Sequence, residues 1–99
     1  MQLIVPAIAG TLESSDVQVT IEAHEDGIEV NIVSDVIKQF GRQIRQTVLE
    51  TLESLGIDKA KVSIVDKGAL DCTLRARVEC AVYRACQVKQ GYPWGGAVK

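Results

Sequence analysis

Val17-Gln18-Val19-Thr20-Ile21-Glu22-Ala23-His24, followed by Glu25-Asp26-Gly27 and then Ile28-Glu29-Val30-Asn31-Ile32, is the stretch that decides how this chain folds. Val17, Val19, Ile21 and Ala23 alternate with Gln18, Thr20, Glu22 and His24, the period of a strand with one wet face. The alternation resumes after the acidic turn with Ile28, Val30 and Ile32 set against Glu29 and Asn31. Asp and Gly both tolerate positive φ, so Asp26-Gly27 predicts a tight turn, and the two strands together predict a β-hairpin.

Toward the C-terminus, Ser34 or Asp35 offers a helix N-cap. Val36, Phe40, Ile44, Val48, Leu52 and Leu55 then recur at helical spacing until Gly56 supplies a C-terminal stop. Gly41 inside this helix costs about 1 kcal/mol relative to Ala and points to close packing there. Lys61–Val65 reads as a short strand and Asp66-Lys67-Gly68 as a turn. A second helix is expected from about Leu70 to Cys86, with Leu70, Leu74, Val78, Ala81, Val82 and Ala85 on one stripe. Toward the N-terminus, Gly10–Asp16 is a polar loop with one apolar residue, Leu12. Gln2–Ala9 is an edge strand or an extended arm, because Pro6 cannot donate to a ladder. The order β-β-β-α-β-α predicts an α+β fold. Its form is a two-layer sandwich with a mostly antiparallel sheet and two helices on one face. Residues 1–90 are expected to form one domain and residues 91–99 an irregular tail. Within that tail Tyr92-Pro93-Trp94 is either a docking element or a loosely ordered terminus.

Composition narrows the function. The chain has 99 residues, 46% of them hydrophobic and only 4% aromatic, so the core must be built from Val, Ile, Leu and Ala. A net charge of −2 and a pI near 5.3 argue against a nucleic-acid binder, which needs clustered Lys and Arg. No apolar run approaches the ~18 residues that span a membrane. Leu3–Ala9 is short, is interrupted by Pro6, lacks a preceding basic segment and does not read as a secretory signal. Cys72, Cys80 and Cys86 are odd in number, without C-x-x-C spacing or a nearby His. No metal site is expected, and reduced thiols in a cytoplasmic protein are the reading that fits.

No catalytic residue is expected either. His24 is the single histidine, on the polar side of its strand, and no Ser or Cys is patterned to pair with it. Glu13 with Asp16, and Glu50 with Glu53, could do acid–base work only with a pocket and a substrate-orienting set. Isolated glycines make no phosphate-cradling loop. What remains is Thr11-Leu12-Glu13-Ser14-Ser15-Asp16. By residue type alone this is a turn whose hydroxyls bond nearby backbone, or a loop presenting a hydroxyl for modification. Ser14 and Ser15 are equivalent on those grounds.

Three stretches in register resemble the acyl-carrier proteins of citrate lyase. They are Ala9-Gly10-Thr11-Leu12-Glu13-Ser14-Ser15-Asp16, Lys38-Gln39-Phe40-Gly41-Arg42-Gln43-Ile44-Arg45, and Asp66-Lys67-Gly68-Ala69-Leu70-Asp71-Cys72 with Arg75-Ala76-Arg77. The similarity runs across about the first 86 residues. The resemblance implies that Ser14, the first serine of the motif, carries 2'-(5''-phosphoribosyl)-3'-dephospho-CoA through a phosphodiester. Members of the family often have Gly at the place of Ser15, which makes Ser15 the weaker anchor. The resemblance also implies a non-enzymatic gamma subunit. Its partners would be an alpha subunit (acyl transferase), a beta subunit (citryl lyase), a prosthetic-group transferase and an acetylating ligase, with no nucleic acid and no membrane. In such a lyase the arm's acetyl group is exchanged for citryl with release of acetate, and the citryl thioester is cleaved to oxaloacetate. Tethering supplies proximity, so the carrier needs no catalytic side chain.

The carrier of malonate decarboxylase is similar, with a Ser-Gly-Asp segment at the matching place, and is the alternative within the carrier class. A protein-interaction domain without a prosthetic group and a small enzyme using Glu13, Asp16 or His24 are the alternatives outside it. The carrier reading predicts an exposed Ser14 side chain on a mobile loop. Asp66, Lys67 and Gly68 are either a surface turn recognised by partner subunits or a simple joint.

Overall fold

A computed structural model describes residues 3–34 and 37–87. The expected tail 91–99, including Tyr92 and Trp94, lies outside the described residues, as do the Asp35 cap and Val36. Six elements follow one another: β1 (Ala7–Gly10), β2 (Val17–Glu22), β3 (Ile28–Ser34), α1 (Ile37–Ser54), β4 (Ala60–Asp66) and α2 (Asp71–Ala85). They form a four-stranded sheet in the order β1-β2-β4-β3. β1 pairs antiparallel with β2, and β2 antiparallel with β4, while β3 and β4 are parallel. The fold is the expected α+β sandwich with a mostly antiparallel sheet and two helices.

The period-two reading places the right residues inside. Val17, Val19 and Ile21 of β2 are fully buried, as are Ala60 and Val62 of β4, with Val30 of β3 nearly so. Cross-strand register lines up Ala7, Ile21, Val62 and Val30 in one row and Ala9, Val19, Ile64 and Ile32 in the next. The helices cover this face, α1 against β3 and α2 against β2 and β1. Thr20, Glu22, Glu29, Asn31 and Val33 project from the opposite face and are exposed. Ala23 falls beyond the end of β2 and is exposed.

The expected hairpin is corrected. β2 and β3 do not form a hairpin, because β4 lies between them. Asp26-Gly27 is a turn, with Gly27 at φ +93°, but its carbonyl accepts the Ala60 N–H at 3.0 Å at the start of β4. The physical reason is that β3, α1 and β4 make a βαβ unit. Its 18-residue helix is long enough for the crossover that a parallel pair requires. Pairing with β4 on both flanks then leaves β1 as the other partner of β2. The hairpin of this protein is therefore β1–β2, and its connection is the Thr11–Asp16 loop.

The helix ends follow from sequence. α1 closes with the Ile57 N–H donating to the Leu52 carbonyl at 2.9 Å and the Gly56 N–H to the Glu53 carbonyl at 3.0 Å. Gly56 sits at φ +72° and both Leu52 and Ile57 are buried, which is a Schellman stop. Ser34 ends β3, and its hydroxyl donates to Asp66 Oδ2 at 2.9 Å, while the step from Ser34 into α1 lies outside the described residues. In α2, Leu74, Val78, Ala81, Val82 and Ala85 are buried as expected, whereas Leu70 is 70% exposed. Phe40 of α1, also expected in the core, is 44% exposed. Residues 3–6 form an arm ahead of β1, with the Ile4 and Val5 N–H groups both donating to the Ala85 carbonyl and Leu3 buried.

Candidate functional site: the tip of the β1–β2 hairpin

β1 ends at Gly10, whose φ of +88° is open to glycine. A Cβ there would lie 1.8 Å from the Val17 carbonyl oxygen, so the loop leaves β1 at a point where only hydrogen fits. Six residues later Asp16 returns the chain to β2. The Asp16 carboxylate is the hub of the loop. Oδ2 accepts from the Thr11 hydroxyl at 2.6 Å and the Thr11 N–H at 3.1 Å, and Oδ1 accepts from the Val17 N–H at 2.7 Å. Arg77 of α2 adds a bidentate pair, Nε to Oδ1 at 3.2 Å and a terminal guanidinium nitrogen to Oδ2 at 3.1 Å. The Thr11 hydroxyl, the Val17 amide and the Arg77 guanidinium together lower the Asp16 pKa from 3.8 to about 2.

The loop backbone is fastened as well. Asp16 N–H donates to the Glu13 carbonyl, and Glu13 N–H to the Thr11 hydroxyl. Ser15 N–H donates to the Lys67 carbonyl at 2.8 Å, and Lys67 N–H to the Asp16 carbonyl at 2.9 Å. Ser15 itself has φ +65°, the left-handed conformation, which a glycine adopts at no steric cost. Ser14, one residue earlier, is exposed, and neither its hydroxyl nor that of Ser15 has a hydrogen-bond partner among the described residues. The loop is thus braced at both ends with two free hydroxyls at its summit.

The structure brings Thr11, Glu13, Ser14, Ser15 and Asp16 together in one loop, and it gives Asp16 a partner in Arg77, which the sequence offers only within a resembling stretch. The structure joins them across 61 residues of chain, and nothing local signals that pairing. The turn at Asp66-Lys67-Gly68 also reaches the site, through Lys67. Its Asp66 is 5% exposed and accepts from the Ser34 hydroxyl and the Ala69 N–H. The other candidates stay apart. His24 lies near the Gly27 carbonyl, 3.2 Å from Nδ1, at the far end of β2. Glu50 pairs only loosely with Arg75 at 3.9 Å. Cys72 is exposed, whereas Cys80 and Cys86 pack half-buried against the core, where burial raises the Cys86 thiol pKa. Among the described residues no group of three or more His, Cys, Asp or Glu converges as metal ligands would. No helix among them is long and apolar enough to cross a membrane.

Residues 5–85 match the protein family described as the malonate decarboxylase delta subunit. The chain is 56% identical over 95 residues to the citrate lyase acyl carrier protein of Vibrio cholerae serotype O1 (strain M66-2), covering 95% of this chain and 96% of that protein. It is 50% identical over 94 residues to the citrate lyase acyl carrier protein of Streptococcus uberis, covering 95% and 92%. Its fold resembles a chain in the crystal structure of a Pseudomonas malonate decarboxylase hetero-tetramer in complex with malonate. The TM-score is 0.68 at 21% identity, covering 86% of this chain and 92% of that one.

Proposed function

The chain belongs to the citrate lyase acyl carrier protein family, and from that premise we propose that it carries acyl groups on an arm linked to Ser14. The arm is 2'-(5''-phosphoribosyl)-3'-dephospho-CoA, attached through a phosphodiester to Ser14 Oγ. When bound, it supplies a thiol that carries acetyl and citryl groups as thioesters. The observation that carries this reading is the Ser14 hydroxyl itself. It is exposed and has no hydrogen-bond partner among the described residues, at the tip of a loop that Asp16 and Arg77 brace. Ser15 is the poorer anchor, because its backbone is committed to Lys67 and held at positive φ.

The residues present fit such a group. An alkoxy oxygen that becomes part of a phosphodiester needs room for the phosphoryl group, and the exposed hairpin tip offers it. The polar brace beneath keeps the anchor from collapsing onto the sheet and fixes the direction in which Oγ points. Among the described residues no side chain near Ser14 is arranged as a nucleophile and base pair, and in this reading the carrier positions chemistry that its partners perform. Those partners are the alpha and beta subunits of a cytoplasmic citrate lyase, with a prosthetic-group transferase and an acetylating ligase acting on the carrier itself.

Intact mass after co-expression with the transferase is the decisive measurement. A mass increase equal to the arm is expected for the native chain and for Ser15→Ala, and none for Ser14→Ala. A shift that survives Ser14→Ala sinks the assignment. A second reading, the carrier of malonate decarboxylase, is favoured by the family description and by the shared fold. Acetyl-dependent cleavage of citrate by the reconstituted complex, without decarboxylation of malonate, separates the two.

A further inference from the structure

Beside the hairpin tip, the N-terminal halves of α1 and α2 part to leave a groove of about 290 Å³. Phe40, Ile44, Gly68, Leu70 and Leu74 line it, and Gln43 reaches its edge. Phe40 and Leu70 stand out because periodicity assigns them to the core, yet they are 44% and 70% exposed on the rim. The groove is continuous with the anchor loop. Ser15 N–H bonds the Lys67 carbonyl at 2.8 Å, and the next residue, Gly68, is a groove wall. Standard backbone dimensions on either side of that bond put the Cα atoms of Ser14 and Gly68 no more than about 8 Å apart.

We infer that this groove holds the adenine base of the arm on Ser14, with the base against Phe40 and Leu70 and its polar edge toward Gln43. The inference rests on Ser14 bearing the arm. Three observations select the base over the rest of the arm. The walls are apolar and include one aromatic ring, a surface on which any base can stack. Gln43 offers a carboxamide, the group that pairs with the amino and ring nitrogens of adenine. Asp66 and Asp71 also line the groove, Asp66 buried and bonded to Ser34 and Ala69 and Asp71 facing Arg75 at 3.9 Å. No Lys or Arg is among the lining residues, so a phosphate finds no partner there while a neutral base is accepted. Reach agrees: in the proposed arm a phosphoryl group and two riboses separate the base from Oγ, whereas the diphosphate and thiol end lie farther out. Tethering gives the base an effective concentration in the millimolar range, so even weak intrinsic affinity fills the groove.

The test compares apo and loaded protein by NMR, with loading verified by mass. In the loaded protein, nuclear Overhauser contacts from the adenine protons to the Phe40 ring and the Leu70 methyls are expected. The double variant Phe40→Ala, Leu70→Ser keeps the mass increase, and its adenine proton shifts move to those of the free arm; adenine shifts unchanged from the native loaded protein overturn the inference. Shift changes confined to residues 11–16, contacts from the dimethyl group of pantetheine in place of the base, or groove changes seen only after a partner subunit is added each overturn the inference. Absence of any mass increase instead removes the assignment of Ser14. The groove is then tested on the apo protein with free dephospho-CoA, where shift changes at Phe40, Leu70 and Leu74 support it and their absence at millimolar ligand refutes it.

Discussion

Asp16 shows how one side chain organises the site. A carboxylate that accepts from Thr11, Val17 and Arg77 is held ionised, with its pKa lowered from 3.8 to about 2. A depressed folded-state pKa adds stability that is fully present above the unfolded value near ~3.9 and is lost as pH falls through the folded one. Acid unfolding of the native chain should therefore steepen between about pH 4 and pH 2. Asp16→Asn should be less stable near neutrality and should lack that part of the slope. Urea titrations across this range check it, and parallel curves for the two proteins would refute it. At this scale the sequence showed which residues crowd the loop. It did not show that the loop is braced by Arg77, because a contact spanning 61 residues leaves no local periodicity.

Among the elements, those whose signals are local were legible. The α1 stop at Gly56 is one, since a glycine after a helical stripe is needed for the left-handed turn seen at φ +72°. Gly56→Ala should cost about 1 kcal/mol by urea unfolding with an unchanged m-value. A change far below that would mean the Schellman bonds do not form. The Asp26-Gly27 turn was equally legible as a turn, yet the hairpin inferred from it was not there. Turn chemistry says that the chain reverses; it does not say whether a third strand enters the gap. Phe40 and Leu70 failed for a related reason. Helical period assigns them to the inner stripe, but both lie toward the helix N-termini, where α1 and α2 part and the groove opens.

For the molecule as a whole, β4 is the keystone, flanked by β2 and β3 and facing both helices' layer with Ala60, Val62 and Ile64. Ile64→Ala, at a site 1% exposed, should destabilise the fold by about 2–5 kcal/mol, whereas Val33→Ala, at a site 67% exposed, should change it by less than about 0.5 kcal/mol. Paired denaturant midpoints give the comparison, and equal effects would refute the placement of Ile64 in the core and of Val33 on the outer face. By itself the sequence determined the class of the fold, the inward face of β2 and β3, the end of the first helix and the polar loop around Ser14. These follow from alternation, helical period and turn chemistry, all of which act over a few residues. Only the tertiary structure decided that β4 inserts between β2 and β3, that Arg77 closes on Asp16 and that a groove opens beside Ser14. Alternation settles which side chains face the core but is silent on which strands are neighbours. That choice depends on a crossover helix and on burial summed over the whole sheet.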